Sequence, residues 1–377
     1  MPNYSINPNF ASEVQSTAWG TLPQADNSTI DSGRVAFGNF QDLLNEGVSG
    51  GQLFTNVVLS TYSLVNIASY QGGVLAPNGD IHFVPGGATI GQKINPTTGV
   101  VSTYSLINTG LYRYYYGGVL APNGDIHFVP FQAYVGEKIS AAGVVSTYSL
   151  VYTSTTGLYW GGVLAPNGDI HFIPNGAPVG QKISAAGVVS TYSLVYTTSG
   201  SYIGGVLAAN GDIHFIPNSA SVGQKISAAG VISTYSISTN GHRGGVLAPN
   251  GDIHFVYFQG AQNRGGKISA AGVVSTYSLV YTTVNAFNGG VLAPNGDIHF
   301  IPWQATVGQK INTTTGVVST YALAYTTTSA YNGGVLAPNG EIHFIPNNTA
   351  TVGQKITLNN GVTFSKGICM HPYFNKY

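Results

Sequence analysis

Asp80 and His82 stand two residues apart, and Lys93 follows shortly after. Residues two apart on a β-strand share one face, and a short return connection brings Lys93 beside His82 on the next strand. A carboxylate, an imidazole and an ammonium so placed could pass protons. Asp-x-His could also supply two ligands to a metal. The same set recurs along the chain, with its histidine at His82, His127, His171, His214, His254, His299 and His343. A propeller enzyme places one asymmetric site near its axis, and the sequence offers no candidate for one. Seven equal copies suit a structural task, such as a hydrogen bond to Tyr or Lys between strands or blades. No third metal ligand keeps the spacing. The recurrent Gly-Gly pairs lack the following helix that a phosphate loop needs. A nucleophile elbow and a cysteine cluster are both missing, and Cys369 is the only cysteine. The expectation is therefore a protein without catalytic residues, metal or cofactor.

The residues around this set form a phrase, Gly-Gly-Val-Leu-Ala-Pro-Asn-Gly-Asp-Ile-His-Phe. It begins at Gly72, Gly117, Gly161, Gly204, Gly244, Gly289 and Gly333. A spacing of about 44 residues means an array, a solenoid or a propeller. The phrase reads as a hairpin: Val74-Leu75-Ala76, a two-residue turn at Asn78-Gly79, and a return strand from Asp80 to Phe83. A third strand follows, as in Val179–Ile183, then a turn such as Ala185-Ala-Gly187, then a fourth strand, Val188–Leu194. Four antiparallel strands repeated seven times predict an all-β fold, a seven-bladed β-propeller.

The phase of the repeat favours a closed ring over a solenoid. A solenoid needs atypical capping repeats, and the last hairpin is as regular as the first. The segment Val57–Leu64 is a fourth strand with no first strand before it. It can complete the last blade and fasten the ends, leaving no open edge. Gly361–Lys366 is a rival for the same place, but Ser60-Thr-Tyr-Ser-Leu64 matches the repeat better. The expected organisation is an irregular arm at 1–50, a propeller over 51–377, and within it a C-terminal extension at 357–377.

Charged residues make up only 7% of the chain, and the formal net charge is +0. Long-range attraction to nucleic acid or an acidic membrane is not expected. The arm differs from the repeats: Glu13, Asp26, Asp31, Asp42 and Glu46 face Arg34 alone. Tyr4, Ile6, Phe10, Trp19 and Leu22 suit docking along another surface better than disorder. The N-terminus has no basic, apolar secretion signal, and no apolar stretch is long enough to span a membrane. The expectation is a protein made in the cytoplasm.

Strict strand alternation puts the first-to-second and third-to-fourth turns on one face of the ring, and the other two sets of loops on the opposite face. The first set is nearly constant. The second varies in length and is rich in aromatics: Tyr114 and Tyr116, Phe131 and Tyr134, Trp160, Tyr202, His242 and Arg243, Phe258 and Arg264, Phe287, Trp303, and Tyr331. Rigid scaffolds carry recognition on loops, and Tyr, Trp and Arg suit sugars or protein hot spots. These thirteen residues are the candidate binding set. The alternative is that the aromatics fill gaps between blades.

The repeat Gly-Gly-Val-Leu-Ala-Pro-Asn-Gly-Asp-Ile-His-Phe-Ile-Pro resembles repeats, often described as kelch-like, in proteins of aquatic bacteriophages and large viruses. The likeness spans residues 51–356. It implies a non-enzymatic virion structural protein on the capsid or tail surface. Residues 1–50 would dock to other virion proteins, with several copies in one particle. The variable face would bind a host surface glycan or a neighbouring virion protein. The alternative is a free soluble lectin with several similar sites.

Overall fold

The connection from Ala76 to Asp80 fixes the shape of each blade. The Gly79 amide donates to the Ala76 carbonyl at 2.9 Å, and the Ala76 amide donates to the Asp80 carbonyl at 2.8 Å. Gly79 alone is left-handed, with φ 89°. This is a turn with Pro77 at its second position, closed by a left-handed glycine, and not the two-residue Asn-Gly turn expected from sequence. Proline fixes φ near −65° and suits that second position. Asn78 instead uses its side chain, whose Oδ1 accepts the Asp80 amide at 3.0 Å.

The computed structural model describes residues 56–109, 114–154, 156–258 and 264–359. These form twenty-eight strands, numbered β1 to β28 in chain order, and no helix. They make seven four-stranded antiparallel sheets. β1 (Asn56–Ser63) comes first. The first blade is β2 (Tyr70–Leu75), β3 (Ile81–Pro85), β4 (Ile90–Ile94) and β5 (Val101–Ser105), side by side in that order. Five further blades repeat the pattern. The seventh breaks it: its order is β1, β28 (Val352–Asn359), β27 (Ile342–Pro346) and β26 (Tyr331–Leu336). The chain is a seven-bladed β-propeller whose ring is closed by its N-terminal strand. The arm at 1–50 and the rival strand Gly361–Lys366 lie outside the described residues. The C-terminal extension begins later than expected, because β28 continues the third strand through residue 359.

Two successive glycines let the blades meet. Gly72, Gly117, Gly161, Gly204, Gly244, Gly289 and Gly333 are all left-handed. Each backs onto the next: a Cβ on Gly117 would lie 3.1 Å from the Gly161 Cα, and one on Gly333 would lie 3.8 Å from the Gly72 Cα. The contacts run round the whole axis. The second glycine takes the neighbouring blade's side chains, as Gly118 takes Val74 and Val84. Farther out, Ile126, Phe128 and Ile139 pack beneath Tyr115 to form one inter-blade core.

A buried amide clamps each blade to the loop before it. Gln92 Oε1 accepts the amides of Val65 at 3.0 Å and Asn66 at 2.7 Å. Gln181, Gln224, Gln309 and Gln354 do the same work. In the fifth blade the clamp is replaced by Gly266, and the space is taken by Thr239 and His242, bonded at 2.9 Å. In the second blade it is Glu137, fully buried, whose carboxylate accepts Ile107 N at 2.9 Å.

Burial pushes the Glu137 carboxyl above its ordinary 4.5, against the two amide bonds that hold it down. A raised acid pKa means the folded state keeps its proton longer, so stability is lost as pH rises from 4.5 through the raised value. Glu137→Gln should remove that cost. We expect a Tm about 2–4 °C higher at pH 8, as for a gain of about 1 kcal/mol, with the gap narrowing as pH falls to 4.5. Thermal melts of both proteins at pH 8 and pH 4.5 check this, and a gap that widens at pH 4.5 would contradict it.

Candidate functional site

The repeated Asp, His and Lys set is a blade fastening. His82 lies directly opposite Val74 on one side and Lys93 on the other. Lys93 Nζ reaches Asp80 Oδ2 at 2.7 Å. The pair recurs in every blade, from Lys138–Asp125 at 2.7 Å to Lys355–Glu341 at 2.7 Å. Burial opposes ionisation of Asp80, but the Lys93 bond and charge outweigh it and hold the carboxyl below its ordinary value.

The histidine is buried and faces a tyrosine of the fourth strand. The His82 and Tyr104 rings are 5.3 Å apart. In three blades the imidazole Nδ1 meets the phenol oxygen: His171 with Tyr192 at 3.3 Å, His214 with Tyr235 at 3.2 Å and His299 with Tyr321 at 3.1 Å. Burial first, and the nearby lysine second, drive His82 from 6.5 down to about 4. A neutral, enclosed imidazole whose neighbouring carboxylate is held by lysine builds sheet structure. Among the described residues no group of His, Cys, Asp or Glu is placed to hold a metal.

The individual face tells a different story. Its loops are tied to one another by backbone bonds from blade to blade. Tyr114 N donates to the Gly86 carbonyl, Leu158 N to Phe131, Gly241 N to Asn218 and Asn285 N to Phe258. Ser69 Oγ reaches Asn347 Oδ1 at 2.8 Å and carries the belt across the closure. Side chains on this face therefore stand on a fixed frame.

Six members of the sequence-derived binding set are buried, among them Tyr116 at 2% and Phe258 at 4% exposed. Tyr202, His242, Phe287 and Tyr331 are each at most 1% exposed. They occupy one position of the first strand, also held by Tyr70, Tyr115 and Tyr159, where the ring packs on the second-strand phenylalanine. Tyr202 meets Phe215 at 5.5 Å, and its hydroxyl donates to the Val222 carbonyl at 3.0 Å. These residues are core, and the gap-filling reading is right for them. Tyr134 and Arg264 are exposed; Tyr114 and Trp303 are half-buried.

Five members come together. Tyr116, Trp160 and Arg243 each stand immediately before an axial glycine, and Phe131 and Phe258 reach them from the second-to-third loops. The Tyr116 ring lies 4.1 Å from Trp160 and 4.4 Å from Phe131. Phe131 meets Trp160 edge-on at 5.5 Å. The Arg243 guanidinium sits 3.7 Å over Phe258 and 5.1 Å over Trp160, spanning the fourth blade. Such stacking holds the planar guanidinium in place. The same position in the other blades holds Gln71, Ile203, Asn288 and Asn332. Asn288 Nδ2 donates to Asn332 Oδ1 at 2.8 Å, and Asn332 Nδ2 donates to the Tyr70 carbonyl at 3.1 Å. The axis thus has an aromatic, cationic half and an amide half.

Gln71, Asn288 and Asn332 were missed from sequence because they are neither aromatic nor charged. The signal was positional: theirs is the one first-strand place before Gly-Gly that holds a different residue in nearly every copy.

No protein-family model matches the sequence, and no curated protein matches it. Solved structures do resemble the fold. A streptogramin B lyase structure is 23% identical, with a TM-score of 0.70, over 81% of this chain and 99% of that one. A catalytically inactive histidine-to-alanine variant of virginiamycin B lyase from Staphylococcus aureus with quinupristin is 22% identical, with a TM-score of 0.69, over 81% and 100%. Kuenenia stuttgartiensis hydrazine synthase is 11% identical, with a TM-score of 0.59. These neighbours share the propeller, and several are enzymes. At such identities the likeness speaks for the fold alone.

Proposed function

We propose that this chain is a non-catalytic recognition propeller of a bacteriophage particle, borne on the capsid or tail and held there by residues 1–50. The observation that carries the recognition reading is the asymmetry of the ring. Seven equal fastenings make one face uniform, while the other gathers Tyr116, Phe131, Trp160, Arg243 and Phe258 at the axis. The loops of that face contain no Asp or Glu, and the only histidine beside them, His242, is buried. Acid–base chemistry needs such a group within reach of substrate, whereas binding needs shape, apolar area and a few fixed polar groups. The particle location is supported by the repeat resemblance and by the acidic, apolar-studded arm.

Particles assembled with the full chain, with a chain lacking 1–50, and with Trp160→Ala test both halves. The truncated chain should fold as a propeller yet be absent from purified particles. Trp160→Ala should be incorporated normally and adsorb to host cells at least tenfold more slowly. Normal incorporation of the truncation overturns the anchoring role, and unchanged adsorption overturns recognition at the axis.

A further inference from the structure

The uniform face is less uniform than its fastenings. A cleft of about 230 Å³ opens there between the second and third blades. Pro122, His127 and Lys138 line it from the second blade, and Ile170 and the turn Ser184-Ala-Ala-Gly187 from the third. The geometry repeats round part of the ring. A Cβ on Gly168 would lie 3.0 Å from the Ala185 Cβ and 3.5 Å from the Pro122 Cγ. One on Gly124 would meet Ala141 at 3.0 Å and Pro77 at 3.4 Å, and one on Gly211 would meet Ala228 at 3.0 Å and Pro166 at 3.6 Å. Gly251 faces Ala270 at 3.0 Å, with Ala209 in place of the proline.

The facing turn decides whether the histidine can be reached. His82, His127, His171 and His214 face a Ser-Ala-Ala-Gly turn and keep 6%, 7%, 7% and 8% exposure. His254 and His343 face longer turns, Asn312-Thr-Thr-Thr-Gly316 and Asn95-Pro-Thr-Thr-Gly99. They keep 3% and 1%, and their Nε2 atoms are buried. Thr313 stands where the open clefts have alanine, with its hydroxyl donating to the Gly296 carbonyl at 2.7 Å. Asn339 Nδ2 crosses from the seventh blade to the Pro96 carbonyl of the first at 3.1 Å. Four clefts are thus open, and these two are stitched shut.

We propose that the four open clefts are equivalent sites for a neutral sugar, each taking one pyranose ring. The charges in the cleft are already matched: Lys138 Nζ lies 2.7 Å from Asp125 Oδ2, and burial holds His127 near 4, so its ring is neutral at pH 7. Hydrogen-bond donors remain. The ammonium has three N–H groups, and Asp125 takes one. Ser184 Oγ accepts the Val188 amide at 3.1 Å and keeps its own O–H to donate. In the third and fourth blades Nδ1 is turned to tyrosine, which leaves Nε2 as the other polar atom of the ring. Pro122, Ile170 and Ala185 supply an apolar wall for the C–H face of the sugar. The volume equals that of about seven waters, room for one ring and not two. Four such sites on one face would bind a branched or repeating glycan with avidity. They use no residue of the axial constellation and lie on the opposite face from it.

Equilibrium dialysis of the full-length protein against labelled methyl glycosides of glucose, galactose, mannose, fucose and N-acetylglucosamine counts the sites. The expected result is four sites per chain for at least one of them, with the methyl glycoside of galacturonic acid at least tenfold weaker. The protein carries its own closing device, the sixth-blade turn Asn312–Gly316. Grafting that turn in place of Ser184–Gly187 should leave three sites, and grafting it into all four open clefts should leave none. Thermal melts check that the grafted rings stay folded. A site count unmoved by the grafts, in folded protein, overturns the cleft assignment, as does loss of all sites in Trp160→Ala. Equal or tighter binding of the galacturonide overturns the neutral class. No binding of any glycoside by the folded wild-type chain overturns the proposal. The axial reading stands or falls separately, on the adsorption of Trp160→Ala particles.

Discussion

Replacing Gly117 with alanine should lower the melting temperature by roughly 10 °C, reflecting a loss of about 3 kcal/mol. Two costs combine. Gly117 has φ 82°, where an L-residue costs about 1–2 kcal/mol. The added Cβ would also lie 3.1 Å from Gly161 Cα and 3.7 Å from Gly161 N, both backbone atoms. Backbone cannot turn aside as a side chain can, so the second and third blades must part, opening packing at Val119 and Val129. Gly143 supplies the control. Its φ is also 82°, but a Cβ there meets nothing within 4 Å. Gly143→Ala should cost only the conformational part, about 1 kcal/mol. Equal losses for the two variants would show that the axial glycines do not set the approach of the blades.

Acid should unfold the ring cooperatively between pH 6.5 and 4. His82, His127, His171, His214, His254 and His242 are all held near 4, and His299 near 3, against an ordinary 6.5. The leading cause in each is burial. The folded state refuses protons that the unfolded chain accepts from 6.5 downward, so this stability is complete above pH 6.5 and falls away toward pH 4. Even about 1 kcal/mol from each of seven sites would approach the 5–15 kcal/mol that holds a typical domain together. Circular dichroism against pH, with the proton uptake on unfolding, checks this. We expect a midpoint above pH 4 and uptake of several protons. A melting temperature unchanged from pH 7 to pH 4.5 would refute it.

The ring, its blade number and its closure were legible because the repeat is both a length and a phase. Val57–Leu64 could only be a strand in search of a blade. The paired glycines were legible as close approach for the same reason: they recur where blades must crowd. The turn at Pro77 was misread because Asn-Gly is a strong hairpin signal, yet proline ahead of it moves the turn by one residue. The site was half legible. The seven recurring histidines are all buried, and the same recurrence marks the ring two places before each axial glycine. Tyr70, Tyr115, Tyr159, Tyr202, His242, Phe287 and Tyr331 fill that place, and the last four, expected on the binding face, are core. The neighbouring place, filled by Gln71, Tyr116, Trp160, Ile203, Arg243, Asn288 and Asn332, is where the copies part company. Which of these meet could not be read from spacing, since Arg243 reaches Trp160 past an entire blade.

The seam between β1 and β28 also sets a timetable. The strand that completes the seventh blade leaves the ribosome well before its partner. About 290 residues separate them, so at 5–20 residues per second β1 waits roughly 15–60 s for a neighbour. Throughout that interval six blades can stack in order while a strand of the sequence Asn56-Val-Val-Leu-Ser-Thr-Tyr-Ser63 keeps both edges open. A β1 from one nascent chain fits the seventh blade of another as well as its own. Crowded synthesis on one message would therefore favour rings linked hand to hand, and dilution or slow expression would favour the single closed ring.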